Sequence, residues 1–120
     1  MNRHRSLQAW QACHALAVKL YSVTSAFPAH ERFGLSSQLR RAAISAGANI
    51  AEGYTRFGAK ETAHSLSIAL GSLAEVDSLV AVAEALEYAS KADIAAVEAL
   101  HRDASRLTFG LQRAIRQRTS

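Results

Sequence analysis

Cysteine and proline each occur once in these 120 residues, and glycine occurs six times. A lone Cys13 can close no internal disulfide, and its apolar helical surroundings suit a packing thiol better than a nucleophile. So little proline and glycine leaves few turn signals, and strand-like alternation is nowhere sustained. No apolar run approaches the roughly 20 residues that span a bilayer, and the opening "MNRHRSLQAWQACH" lacks an apolar stretch of signal-peptide length. The expected setting is therefore the cytoplasm, with no membrane contact. Phosphate-cradling and dinucleotide glycine motifs are missing, as are cysteine pairs for zinc. His4, His14 and His30 are scattered, and spacing nominates no Ser, His and Asp set. Neither catalysis nor a cofactor is expected.

What remains is rich in alanine, leucine, glutamate and arginine, and at 49% hydrophobic residues it can build a real core. A single helical domain spanning residues 1–120 is the expected class. The net charge of +4 permits a polyanionic partner without requiring one. Its distribution is uneven. Glu75, Asp77, Glu84, Glu87, Asp93 and Glu98 stand against Lys91 alone, and thereafter Arg102, Arg106, Arg113, Arg116 and Arg118 stand against Asp103 alone.

Four helices follow from periodicity and punctuation. The first runs from a cap at Ser6 to about Ala26, before Pro28, and buries Cys13, Leu16, Leu20, Val23 and Phe27. The second starts near Ser36 or Ser37, reaches Ala51 or beyond with Gly53 and Gly58 as candidate stops, and buries Leu35, Leu39, Ala43, Ala46 and Ile50. Ala59 to Tyr88 forms the third. Ser90 with Asp93 opens the fourth, which continues to about Arg116 and turns Val97, Leu100, Ala104, Leu107, Leu111 and Ile115 inward. Short links predict an antiparallel, up-and-down four-helix bundle.

Three faces are unusual. On the second helix Gln38, Ser45, Asn49, Glu52 and Arg56 form a polar seam set among small residues in "SAGANIAEGYTR". Small residues let backbones approach, so these polar groups need partners. Arg41 or Asn49 is expected to meet Glu75 of the third helix, and Glu52 to pair with Arg56 locally or across a subunit boundary. The third helix carries a seam of Leu66, Leu70, Leu73, Val76 and Val80, and opposite it a second of Ile68, Leu79, Val82 and Leu86. A helix apolar on both sides implies self-association. The fourth helix shows Arg102, Arg106, Arg113 and Arg116 around Phe109, and with Arg40 these are the candidates for phosphate contact. Trp10, His14 and Tyr21 of the first helix fit packing or an interface.

Glu61 with His64 and Glu98 with His101 repeat the Glu-x-x-His spacing of di-iron bundles. Measured from the turn near Ser90, however, the pairs fall about 25 Å apart along the bundle at 1.5 Å per residue. The first helix also has no carboxylate to complete such a site. No metal is expected.

Two longer stretches, "QLRRAAISAGANIAEGYTR" and "GSLAEVDSL", with Gln38, Arg40, Arg41, Asn49 to Gly53, Arg56 and Gly71 to Glu75 in order, resemble a known family. It is the bacterial four-helix-bundle family encoded in intervening sequences of large-subunit ribosomal RNA genes. The accessory variability protein of diversity-generating retroelements is similar to these. The resemblance implies an antiparallel four-helix bundle and a barrel-like homopentamer. For the retroelement branch it also implies nucleic-acid binding through basic surfaces and a reverse transcriptase partner. Ala46 and Gly47 stand where the family commonly has an isoleucine after the serine. The functional expectation is a non-enzymatic homo-oligomer that presents arginines to RNA or DNA. The alternative is a structural or adaptor oligomer that binds another protein.

Overall fold

The computed structural model describes residues 3–118. A 3-10 turn, Arg3–Ser6, leads into α1, Gln8–Thr24. Leu7 rather than Ser6 holds the cap position, and the Leu7 side chain makes no capping bond. After Pro28 a second 3-10 turn, Ala29–Glu31, precedes α2, Leu35–Gly53. Glu31 reaches forward from this turn, its Oε1 accepting the Leu35 N–H at 3.0 Å. α3 spans Ala59–Ala85 and α4 spans Lys91–Gln117. Ser90 caps α4 as its spacing predicts, accepting the Asp93 N–H at 3.1 Å.

α3 stops three residues before Tyr88, and the backbone shows why. Glu87 adopts a left-handed conformation at φ 58°. Its N–H bonds to the Glu84 carbonyl and that of Tyr88 to the Ala83 carbonyl, both at 3.0 Å. This double closure is the Schellman arrangement, here without the usual glycine.

The helices form a closed square in which α1 packs on α2, α2 on α3, α3 on α4 and α4 on α1, and diagonal pairs do not come as close. The rod measures 47 × 23 × 21 Å. Its axis is filled by one continuous cluster that includes Leu16, Leu20, Leu39, Ile50, Leu66, Leu73, Val76 and Val97. Among the described residues there is no strand. The antiparallel four-helix bundle is the architecture that the periodicity predicts.

"SAGANIAEGYTR" lies where α2 must approach two neighbours closely. A Cβ on Gly53 would stand 2.9 Å from the Ser65 Cβ of α3, and one on Gly47 would meet Trp10 Nε1 of α1 at 3.6 Å. The Gly53 carbonyl accepts the Thr62 hydroxyl at 2.9 Å. Small residues thus bring α2 and α3 near enough for side chains to bond across the seam. The Ser72 hydroxyl donates to Ser45 Oγ at 2.9 Å, and Asn49 Nδ2 donates to the same oxygen at 3.0 Å.

α4 buries more polarity than an apolar-only reading predicts. Leu100, Leu107 and Leu111 are half-buried, whereas Ile94, Thr108 and Gln112 lie in the core. Gln112 Nε2 donates to the Ala63 carbonyl at 2.9 Å and to Ser67 Oγ at 2.6 Å. His101 Nε2 donates to the Leu73 carbonyl at 2.7 Å. These bonds fix the register of α4 on α3, because a slip of one turn would leave a buried amide without partners.

Of the second apolar seam on α3, Ile68, Val82 and Leu86 are exposed at 44%, 45% and 51%, and Leu79 packs partly against the core. With both sides apolar, α3 is long and apolar enough to cross a membrane by length and composition alone, contrary to the expectation that no segment would be. Glu75 and Asp77 sit at its middle.

Candidate nucleic-acid interface

Antiparallel packing converts the uneven charge of the sequence into a polarity along the rod. The α3–α4 turn gathers Glu84, Glu87 and Asp93 at one end, where Lys19, Arg32 and Lys91 offset most of their charge, while Arg113, Arg116 and Arg118 finish α4 at the other. That basic end also holds the first residues of α1 and the α2–α3 loop, which carries Arg56 and Phe57.

Arg102, Arg106, Arg113 and Arg116 are all exposed on α4 and form one ridge with Phe109, itself 52% exposed. Between this ridge and the start of α1 lies an open groove of about 590 Å³, lined by Arg106, Phe109, Gly110 and Arg113 on one wall and by Ser6 to Ala9 on the other. The start of α1, with no acid in its first turn, adds the positive end of a helix dipole to that wall. Arg106 is held only by an exposed contact to Asp103 at 3.6 Å. Such surface pairs contribute at most about 1 kcal/mol, so the guanidinium can turn to another anion at little cost.

Arg116 belongs to the other flank of the ridge. There it lines a groove of about 380 Å³ with Ala59, Lys60, Ala63, His64 and Ser67 at the start of α3. The charge of Arg118 acts on half-buried Tyr54 in the α2–α3 loop, although burial outweighs it and pushes the Tyr54 phenol up. Phe57, at the tip of that loop, is 95% exposed. Sequence reasoning missed this aromatic and its neighbours Lys60 and His64, because nothing in helical periodicity ties a loop to the end of α4.

Arg40 does not join the ridge. Its guanidinium stacks over the Tyr21 ring at 4.6 Å, and its Nε donates to Thr24 Oγ1 at 2.8 Å. It therefore closes the α1–α2 seam near the end of α1, about 25 Å along that helix from the Ser6 to Ala9 wall. Trp10 and His14 stack on each other at 4.9 Å on the same face of the bundle.

The polar seam of α2 divides into two. Glu52, in the last turn of α2, pairs with Arg56 of the following loop at 2.7 Å, which raises the Arg56 pKa further through that hydrogen bond. The expected link from Arg41 or Asn49 to Glu75 is absent among the described residues. Asn49 instead folds back on Ser45, donating to its carbonyl at 2.8 Å as well as its hydroxyl. Gln38, Arg41, Ser45 and Glu75 line an open groove of about 560 Å³ between α2 and α3. The exposed Arg41 and Glu75 side chains are long enough to reach water rather than each other, which is why helix spacing alone mispaired them.

The two Glu-x-x-His pairs lie at different levels of the rod, His64 beside Arg116 and His101 against Leu73. Among the described residues no three His, Cys, Asp or Glu side chains group to hold a metal. Cys13 is buried, 3.8 Å from Thr108 Oγ1, and burial pushes its thiol pKa up, away from nucleophilic reactivity.

A square four-helix rod with one basic, aromatic-bearing flank belongs to the class of small all-helical bundle proteins. The more particular assignment comes from the family model of the 23S rRNA-intervening sequence proteins, which matches residues 5–110. The chain belongs to that family. A crystal structure of a protein with unknown function from the S23 ribosomal protein family of Bacteroides thetaiotaomicron shares the fold. Its TM-score is 0.79 at 19% identity, covering 87% of this chain and 97% of the other. Among functionally curated proteins none matches.

Proposed function

We propose that this protein is a non-catalytic homo-oligomer that binds nucleic acid through the outer ridge of α4. The observation that carries the reading is the groove in which Arg106 and Arg113 flank Phe109 beside the start of α1. Each arginine that neutralises a phosphate releases a counterion, so affinity falls steeply as salt rises. Self-association repeats the ridge and multiplies individually weak contacts. The exposed Ile68, Val82 and Leu86 on α3 support that association, since a soluble protomer gains by covering such a seam. The family resemblance suggests five copies and, for one branch, a reverse transcriptase partner, and the setting proposed for them is the cytoplasm.

Fluorescence anisotropy with labelled RNA and DNA at several salt concentrations tests the first half. Arg106→Glu with Arg113→Glu should weaken binding and flatten its salt dependence; binding that ignores both changes rejects the ridge. Light scattering on a sizing column tests the second half, with Val82→Asp expected to shift the mass downward. A wild-type monomer at micromolar concentration would reject self-association, and the oligomeric adaptor with it, and leave the α3 seam for a different protein.

A further inference from the structure

We propose that the strand bound is single-stranded nucleic acid, with unpaired bases stacking on Phe109 and Phe57. This deepens the ridge reading above and rests on it. Both rings are exposed, at 52% and 95%, and both have cations beside them in the chain: Phe109 has Arg106 and Arg113 on α4, and Phe57 has Lys60 together with Arg56, which is paired with Glu52 at 2.7 Å. Each is followed by a glycine, Gly110 and Gly58, and no group from elsewhere in the fold lies within 4 Å of where a Cβ would stand on either. The surface beside each ring is therefore open on the glycine side.

The fold places the two rings on one path. Phe109 lies nine residues before Arg118 on α4, about 14 Å along its axis, and Arg118 is close enough to the α2–α3 loop to act electrostatically on Tyr54. Between them the groove lined by Lys60, His64, Ser67 and Arg116 continues the polar surface around the end of α4. A positively charged track with aromatic platforms along it is how proteins hold unpaired strands, because every base has a face to stack; a duplex keeps those faces covered.

A third Phe-Gly pair supplies an internal comparison. Phe33 is 88% exposed, but the Arg32 guanidinium already lies 5.4 Å from its ring centre, and a Cβ on Gly34 would stand 2.7 Å from the Glu31 carboxylate. Phe33 sits at the end of the rod away from the α4 C-terminus and should take no part.

The test is anisotropy with oligouridylate, oligothymidylate and a blunt DNA duplex of matched length, using the full chain. Single strands should bind more tightly than the duplex. Phe57→Ala and Phe109→Ala should each weaken single-strand binding about tenfold, leaving duplex binding and the melting temperature unchanged. Phe33→Ala should be silent, and Phe57→Trp should retain binding and show fluorescence quenching on a single strand. Equal affinity for duplex, with both alanine variants silent but Arg106→Glu with Arg113→Glu still damaging, overturns the stacking inference alone. No binding to any of the three probes overturns this inference and the ridge reading together.

Discussion

Replacing Gly53 by alanine sets two opposed effects against each other. At an unconstrained helix position the change is favourable by up to about 1 kcal/mol, because alanine loses less backbone freedom on folding. Gly53 is not at positive φ, so the backbone tolerates the new residue. Space does not. The added methyl would stand 2.9 Å from the Ser65 Cβ and 3.5 Å from the Thr62 carbonyl oxygen. Neither neighbour is the far end of a flexible chain, so α2 and α3 must separate by several tenths of an ångström. Overpacking of this kind costs about 1–3 kcal/mol. The same separation stretches the buried bond from the Thr62 hydroxyl to the Gly53 carbonyl, worth about 1 kcal/mol. The net expectation is a loss of about 1–3 kcal/mol, or a fall in Tm of about 4–12 °C for a domain of this size. Thermal melts followed by far-UV circular dichroism measure it. Gly71→Ala and Gly110→Ala are the controls: nothing lies within 4 Å of either position, so each should raise Tm by a few degrees. Ser65→Gly added to Gly53→Ala should restore much of the loss. A Gly53→Ala protein that melts as high as the two controls would refute the claim that small residues here serve close helix approach.

Three further expectations concern the framework. Glu87→Gly should stabilise by about 1 kcal/mol in urea titration, since glycine removes the penalty of the left-handed conformation that closes α3. Gln112→Ala should cost about 2–4 kcal/mol, combining a cavity with a lost pair of interhelical bonds, and chemical denaturation should show Arg113→Ala, exposed one residue away, to be nearly neutral. The Leu35 N–H and then the Tyr88 hydroxyl, donating at 2.9 Å, hold the Glu31 carboxyl below its ordinary pKa. Because the folded value is the lower one, the stabilisation is complete above the usual glutamate range near about 4.3 and is lost as the pH falls through the folded value. Amide exchange at Leu35 should accelerate over that acid interval, and Glu31→Gln should abolish most of the acceleration.

The number and type of elements were legible because apolar spacing reports directly on which side of a helix faces the axis. Cys13 to Phe27 on α1 and Leu35 to Ile50 on α2 are buried as that spacing requires. Reading failed where a residue's burial depends on a partner that the local sequence does not contain. Thr108 and Gln112 look like surface positions until Cys13 and Ser67 are brought against them by other helices. Asn49 was assigned to a neighbouring helix although its nearest acceptor lies one turn back on its own, and Arg40 was grouped with the α4 arginines by residue type rather than by place. Helix ends were the other weak point. Ser6 has the chemistry of a cap but precedes the helix by two residues, and the stop after Ala85 uses a glutamate in a conformation normally left to glycine. The ridge itself was visible, since four arginines at helical intervals need no tertiary information. Its extension around the rod's end to Phe57 was invisible, since it joins residues about sixty apart in the chain.

The lengthwise separation of charge gives the rod an electrical heading. In the field of a polyanion a particle with its excess positive charge at one tip of a 47 Å axis experiences a torque as well as a pull, so it rotates before it collides. Encounters then begin with the α4 terminus leading and the α3–α4 hairpin trailing, and fewer of them are wasted on unproductive orientations. Added electrolyte weakens that alignment over distances beyond about 10 Å, so the association rate should drop with ionic strength more sharply than uniformly spread charge would predict.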